Sequence, residues 1–279
     1  PSLNKRLKTL PTISDFNSSN FIEKIITEKE RKEKHKVLYS KLPIMEIIDL
    51  EKKFFKQTFL FKKKKFFHAI KSFNFKLYKG ETLGLVGESG CGKSTLGRAI
   101  IHLDPPSSGK IIYNGKLLTK THFSNSNNLR KEIQFIFQDP HSSMNPIKTI
   151  GDSIMEVLKV HNILKTRKDR KKRVNDLLDK VGLSNYYFNR HPHELSGGQK
   201  QRAVIARALA TNPKVIICDE CVAALDISIQ AKILNLLNDL KQELNLSYIF
   251  ISHDLSIVKF MSDRIMVMKS GELIEFEES

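Results

Sequence analysis

Gly87-Glu88-Ser89-Gly90-Cys91-Gly92-Lys93-Ser94-Thr95 has the residue types and the spacing to hold a polyphosphate. Gly87 and Gly92 bracket four residues, and Lys93-Ser94 follow. Backbone N–H groups can then curl around phosphate oxygens, the ammonium can reach the terminal phosphates and the hydroxyl can meet Mg²⁺. Phosphoryl transfer also asks for a held metal, an oriented water, a base and a hydrogen bond to the outermost phosphate. Candidates for each stand at the ends of apolar runs. Ser94 with Asp219 would hold Mg²⁺, Gln138 would bridge the metal and the water, and Glu220 would accept the water's proton. His253 would hydrogen-bond the terminal phosphate.

These side chains need elements to deliver them. Residues 82–86 read as an apolar strand running into the glycine loop, and Leu96, Ala99, Ile100 and Leu103 follow helical spacing after it. Strand, loop and helix together place the loop's amides at a helix N-terminus, whose partial positive charge favours phosphate. Residues 133–137 form a run ending at Gln138, residues 215–218 one ending at Asp219-Glu220, and residues 248–251 one ending near His253. A parallel sheet would bring the ends of such runs to one edge, where a doubly wound fold binds ligands. The block 139–200 reads as mostly helical, with Ile150, Ile154, Val157 and Leu158 on one face and Val174, Leu177, Leu178 and Val181 on another. The runs 44–50 and 69–77 flank an aromatic and lysine-rich stretch, 54–67, read as a β-hairpin with a charged tip. The fold expected is therefore α/β: a P-loop NTPase core with a mostly parallel sheet, an N-terminal antiparallel β subdomain and an inserted helical subdomain. Residues 1–42 read as a polar, basic linker or tail with a helical stretch over 21–37, and residues 43–279 as the catalytic domain.

The chain has 279 residues and a formal net charge of +17. Residues 1–80 carry 20 Lys and Arg against 8 Asp and Glu, whereas the remaining 199 carry 27 against 22. The body bearing the motifs is thus nearly balanced, which argues against a polyanion track across it. Lysine outnumbers arginine 36 to 11, while phosphate and base readers favour the arginine fork. No run approaches the roughly 18 apolar residues that span a bilayer. The three cysteines make no framework and fit a reducing cytosol. Cys218-Asp-Glu-Cys221 straddles a strand end without a second pair, and His191 and His193 have no further ligand at metal spacing, so both are read as structural.

Leu195-Ser196-Gly197-Gly198-Gln199 narrows the class. With the glycine loop, Gln138, Asp219-Glu220, Ala224-Leu225-Asp226 and His253, the chain resembles the ATP-binding-cassette ATPases over residues 44–276. The resemblance implies ATP as the nucleotide and a head-to-tail dimer with a second such domain. In that dimer the 195–199 stretch of one subunit caps the ATP on the other's residues 87–95. Ser196, Gly197, Gly198 and Gln199 would then meet the partner's nucleotide, Asp226 would lie near the dimer contact, and Phe54, with Phe55 next, would stack on adenine. Residues 80–90, 137–140, 144–146 and 191–194 resemble importers of the peptide class: oligopeptide, dipeptide, nickel and glutathione systems. Residues 133–140 and 149–154 are most similar to the second ATPase half of the double-cassette glutathione importers. Two departures are Cys221 after the glutamate and Ala223 before Ala-Leu-Asp.

The resemblance implies a peripheral protein on the cytoplasmic face of the inner membrane. Its expected partners are permease subunits, through residues 139–160, and indirectly a substrate-binding protein. Pro1 in place of Met, and relatives that continue past the position of Ser279, suggest a piece of a longer chain. A second reading, a soluble ATPase of this type acting on nucleic acid or the ribosome through the basic residues 1–80, stays open at this stage. The two separate in a gel shift. The importer reading predicts no nucleic-acid complex at about 100 mM salt, and a salt-sensitive complex there would favour the other.

Overall fold

The computed structural model describes residues 6–7, 10, 25–26, 28–56, 65–119, 127–140 and 142–278. The chain forms two compact units, each assembled from two stretches of sequence. One comprises Pro1–Glu30 with Asn127–Leu246, the other Arg31–Ser126 with Ser247–Ser279.

In the second unit, strand Thr82–Gly87 runs parallel to both Ser247–Ile251 and Arg264–Lys269. Glu272–Glu278 closes the edge antiparallel to Arg264–Lys269. Leu83 and Leu85 are wholly buried, as a parallel strand covered on both faces demands. Strands Met45–Lys56 and Lys65–Leu77 pair as an antiparallel hairpin from Met45 opposite Leu77 to Lys56 opposite Lys65. Met45–Lys56 also pairs antiparallel with Ser108–Tyr113, which pairs with Lys116–Leu118. The hairpin expected around residues 54–67 is present, while its tip lysines Lys62, Lys63 and Lys64 lie outside the described residues.

In the first unit, Ile133–Ile136 and Val215–Asp219 are parallel neighbours. Helices Ile150–Val160 and Arg167–Lys180 are opened by Thr149 and Thr166, whose hydroxyls accept from Asp152 N and Asp169 N at 3.1 Å each. They bury Ile154, Leu158, Val174, Leu177 and Leu178, the faces expected from spacing. Two 3₁₀ turns, Asn185–Asn189 and Pro192–Glu194, lead into helix Gly197–Leu209. After Val215–Asp219 comes helix Ile227–Leu244. On that helix the Asn235 side chain grips the backbone of Leu10, accepting from its N and donating to its O at 2.9 Å each.

In the N-terminal region a helical stretch is expected over residues 21–37. The helix runs over Glu28–Tyr39, and Ile25–Ile26 form a short ladder with Arg6–Leu7. Phe21 and Ile22, at the start of the expected helical stretch, lie outside the described residues. The helix instead buries His35 and Leu38 near its end. Its last residue, Tyr39, lies 4.7 Å below the Arg264 guanidinium, which also stands over Tyr78 and Phe276. Arg264 Nε donates to Glu81 Oε1 at 2.6 Å, and Glu81, fully buried, also accepts from Tyr78 N at 2.7 Å. Burial raises the Glu81 carboxyl above its ordinary value, against the lowering pull of Arg264. The folded chain therefore binds that proton more tightly than the unfolded one. The contribution of Glu81 to stability falls as pH rises from the ordinary carboxylate value through the raised one. Removing the guanidinium would leave a buried carboxyl without its countercharge. Arg264→Met is expected to cost about 3–5 kcal/mol, read as a lower urea midpoint, and an unchanged midpoint would show that the pair is not structural.

Candidate functional site

The glycine loop leaves the buried strand Thr82–Gly87 and enters helix Lys93–Ile100 through Gly92, at φ 114°. Glu88, Ser89 and Gly90 are exposed, Ser94 and Thr95 half-buried, and Lys93 and Cys91 buried. Lys93 Nζ donates to Gly87 O at 2.8 Å and Glu88 O at 2.9 Å, so the ammonium is held by the loop's own carbonyls. The glycines differ in what they do. A Cβ on Gly87 would lie 2.1 Å from Met268 O and one on Gly92 2.3 Å from Ala69 O, so both positions exist by close backbone approach. Gly90, at φ 79°, faces open space and is needed only for its left-handed turn.

Beside the loop lies a cavity of about 390 Å³, with Phe66, Phe67, His68 and Lys71 on one side and Glu88 to Cys91 on the other. Phe54 does not line it. It stands opposite Phe67 across the hairpin, 40% exposed, with the Lys52 ammonium 5.0 Å above its ring. Phe55 packs on Phe66 at 5.0 Å. The aromatics at the cavity were visible in the 54–67 run, but nothing local distinguishes one strand's phenylalanines from the other's. His253 is exposed just past strand Ser247–Ile251, ahead of Asp254, which caps the next helix by accepting from Ser256 N at 2.8 Å.

In the first unit, Gln138, Asp219 and Glu220 are brought together by the parallel pair Ile133–Ile136 and Val215–Asp219. Asp219 is the last, buried residue of its strand. Glu220 follows in the left-handed region at φ 47°, a conformation that costs a non-glycine residue about 1–3 kcal/mol. Gln138 Nε2 donates to Glu220 Oε2 at 3.0 Å. Cys218 and Cys221 are buried free thiols, and the hydrogen bond of the Cys218 thiol with Cys221, then burial, push that thiol well above its ordinary value. His191 and His193 stack ring on ring at 5.6 Å.

Ser196 caps helix Gly197–Leu209 in a reciprocal box. Its Oγ accepts from Gln199 N at 3.3 Å and its N donates to Gln199 Oε1 at 2.9 Å. The box draws both glycines into its first turn, and the S-x-x-Q signal for it stands in the sequence. Ser196 and Gly197 are exposed, while Gly198 is buried where a Cβ would come 2.6 Å from Ile229. Asp226, exposed, starts helix Ile227–Leu244 without using its carboxylate as the cap. Gln199 Nε2 donates to Tyr187 Oη at 2.7 Å, a contact with no counterpart in the sequence pattern.

A strand buried on both faces, parallel to its neighbours and delivering a glycine loop to a helix N-terminus, defines a P-loop nucleotide-binding domain. Residues 70–223 match the ABC transporter family, and the chain belongs to it. It is 51% identical over 211 residues to the oligopeptide transport ATP-binding protein OppF of Bacillus subtilis, covering 74% of this chain and 68% of that one. It is 52% identical over 208 residues to the glutathione import ATP-binding protein GsiA of Escherichia coli, covering 75% of this chain but only 33% of that one. Among solved structures it is similar to the dimeric post-hydrolysis state of the ATP-binding cassette MJ0796 bound to ADP and Pi. That match has a TM-score of 0.73 and 29% identity, over 84% of this chain and 98% of the other. It is also similar to cbiO1 from Clostridium perfringens, with a TM-score of 0.71 and 29% identity over 85% of this chain and 89% of that one. The chain carries an ABC ATPase domain of the kind found in the ATP-binding proteins of oligopeptide and glutathione importers. Among the described residues no helix is long and apolar enough to cross a membrane.

The loop geometry separates two otherwise similar substitutions. Gly90→Ala is expected to cost about 1 kcal/mol, the backbone penalty alone. Gly87→Ala must displace the Met268 carbonyl and is expected to lose nucleotide binding together with several degrees of melting temperature. Equal losses in thermal melts and nucleotide titrations would refute the distinction.

Proposed function

We propose that this chain is the ATP-hydrolysing subunit of an importer that takes up small peptides such as glutathione, dipeptides or oligopeptides. In this reading residues 43–279 form one ATPase domain with a helical subdomain inserted at about 139–200. The observation that carries it is the exposed, doubly capped Ser196-Gly197 turn in a chain that also bears the glycine loop. Such a turn presents a hydroxyl and helix N-terminal amides outward, which suits a nucleotide on another subunit. The similarity to dimeric MJ0796 and to importer ATP-binding proteins supports a head-to-tail pair of cassettes.

In this mechanism residues 87–95 hold the phosphates of ATP. The buried Lys93 exchanges its two carbonyl contacts for phosphate oxygens, which are stronger, charged partners. Ser94, Asp219 and Gln138 offer hydroxyl, carboxylate and amide oxygens, the hard donors Mg²⁺ takes, and the ion would neutralise developing charge on the phosphates. Glu220 would accept the proton of the attacking water, Gln138, released from its contact with Glu220, would help hold the metal and that water, and His253 would bond the terminal phosphate. Ser196, Gly197, Gly198 and Gln199 serve the partner's nucleotide, and Asp226 stands near the dimer contact. The cavity of Phe66, Phe67 and His68 is the better candidate for the adenine than Phe54, because it adjoins the loop and Phe54 does not line it.

Residues 139–160 would contact the permease subunits at the cytoplasmic face of the inner membrane. The exposed Ile147 and the cavity of about 400 Å³ walled by Lys148, Asp152, Met155 and Arg170 support a contact there. The substrate-binding protein would act through the permease.

Glu220→Gln should still bind ATP and form the dimer but turn over roughly 10²-fold more slowly, the scale of a lost general base. Near-normal turnover would remove Glu220 from that role. Cross-links from residues 139–160 to a permease subunit test the importer assignment, and their absence would argue against it.

A further inference from the structure

The Ser196 turn is held by one side chain, and that side chain is itself held. Gln199 Oε1 accepts from Ser196 N, and a backbone N–H can only donate. The amide orientation is therefore forced, and Nε2 faces the other way, where it donates to Tyr187 Oη at 2.7 Å. Without an acceptor at that point the Gln199 amide could rotate, and the capping box would lose the half that fixes the Ser196 backbone.

Tyr187 is well placed for this because its own turn is fastened on several sides. The next residue, Phe188, lies against Gly151, where a Cβ would come 2.5 Å from the ring. Ile150 N donates to Arg190 O at 2.8 Å. Arg190 stands 4.2 Å over the Tyr186 ring and pairs with Glu194 at 2.6 Å, while Tyr186 meets Tyr187 edge-on at 5.5 Å. Glu194 Oε2 in turn accepts from His191 N at 2.6 Å, closing the second 3₁₀ turn immediately before Leu195. The segment 185–194 is thus a braced support that meets the 195–199 stretch through Pro192 O, which accepts from Leu195 N at 3.3 Å, and through the Tyr187 hydroxyl, which meets the Gln199 side chain.

We infer that Tyr187 is a positioning residue for ATP hydrolysis, acting through Gln199 to hold Ser196 where a partner subunit's nucleotide meets it. The inference rests on the proposed role of Ser196 at that nucleotide. Tyr187 is none of the residues proposed to hold the same chain's nucleotide, so its loss should leave ATP binding by that chain intact.

The test is Tyr187→Phe in the full-length protein, which keeps the ring and removes the acceptor. Two readouts are taken, hydrogen exchange at the Ser196 amide without nucleotide and ATP turnover in the assembled transporter. The expected result is exchange faster by about two- to tenfold, the worth of one neutral hydrogen bond. The kcat should fall by a similar factor with the KM for ATP unmoved. Gln199→Ala should produce both effects, and Tyr187→Phe added to it should produce nothing further, because the two residues act in series. Unchanged exchange at Ser196, losses that add in the double variant, or faster exchange with unaltered kcat would each overturn the inference. A wild-type transporter without ATP turnover would instead sink the proposed function, and the inference would fall with it for that separate reason.

Discussion

At Gly87 and Gly92 the phosphate loop touches the carbonyl oxygens of Met268 and Ala69 so closely that no side chain fits between them. Two further backbone bonds tie the same region together: Gly271 N donates to Cys91 O at 2.9 Å, and Lys71 N donates to Gly271 O at 2.8 Å. The loop is therefore set against the hairpin strand Lys65–Leu77 and the turn between Arg264–Lys269 and Glu272–Glu278, main chain against main chain. Bare peptide contacts of this kind leave the loop's outward amides in a fixed array, which is what anion binding at a helix N-terminus requires. The Arg264–Glu81 pair supports the same strands from below, since Arg264 opens Arg264–Lys269 and Glu81 directly precedes Thr82–Gly87.

The first unit solves a different problem, the presentation of polar groups at the ends of buried strands. Val215–Asp219 is buried throughout, so Asp219 and Glu220 emerge only where the strand stops. The left-handed backbone at Glu220 turns the chain sharply there, and Gln138 Nε2 donates to the carboxylate. In the proposed mechanism Glu220 would be the base, and its contact with Gln138 would have to open before it could meet a water. The Ser196 turn follows the same logic of local satisfaction. Its box uses up the first orphan amides of the helix near Gln199 and leaves Ser196 and Gly197 at the surface.

The basic charge of the chain has a modest structural part. Pairs such as Lys71–Glu272 and Lys148–Glu156 lie on exposed surface, where each contact is worth little. The informative cation is Arg264, which is largely buried, stacked on aromatic faces and paired with a buried carboxylate. It also stands over Tyr39, the last residue of helix Glu28–Tyr39.

The sequence by itself determined the glycine loop, the strand and helix around it, the acidic pair at a strand end, the helical faces at Ile154 and Leu158 or Val174 and Leu178, and the family. Each of these depends on chemistry repeated at short range: bare glycines beside a lysine, apolar residues two or four apart, a hydroxyl three residues before a glutamine. Only the tertiary structure decided which carbonyls face Gly87 and Gly92, that Gln138 meets Glu220, that Phe66 and Phe67 rather than Phe54 border the loop's cavity, and that Tyr187 holds Gln199. Arg264 and Glu81 stand 183 positions apart. No local period encodes such pairs, because they arise when separate elements pack, and the side chains that meet are selected by the geometry of that packing.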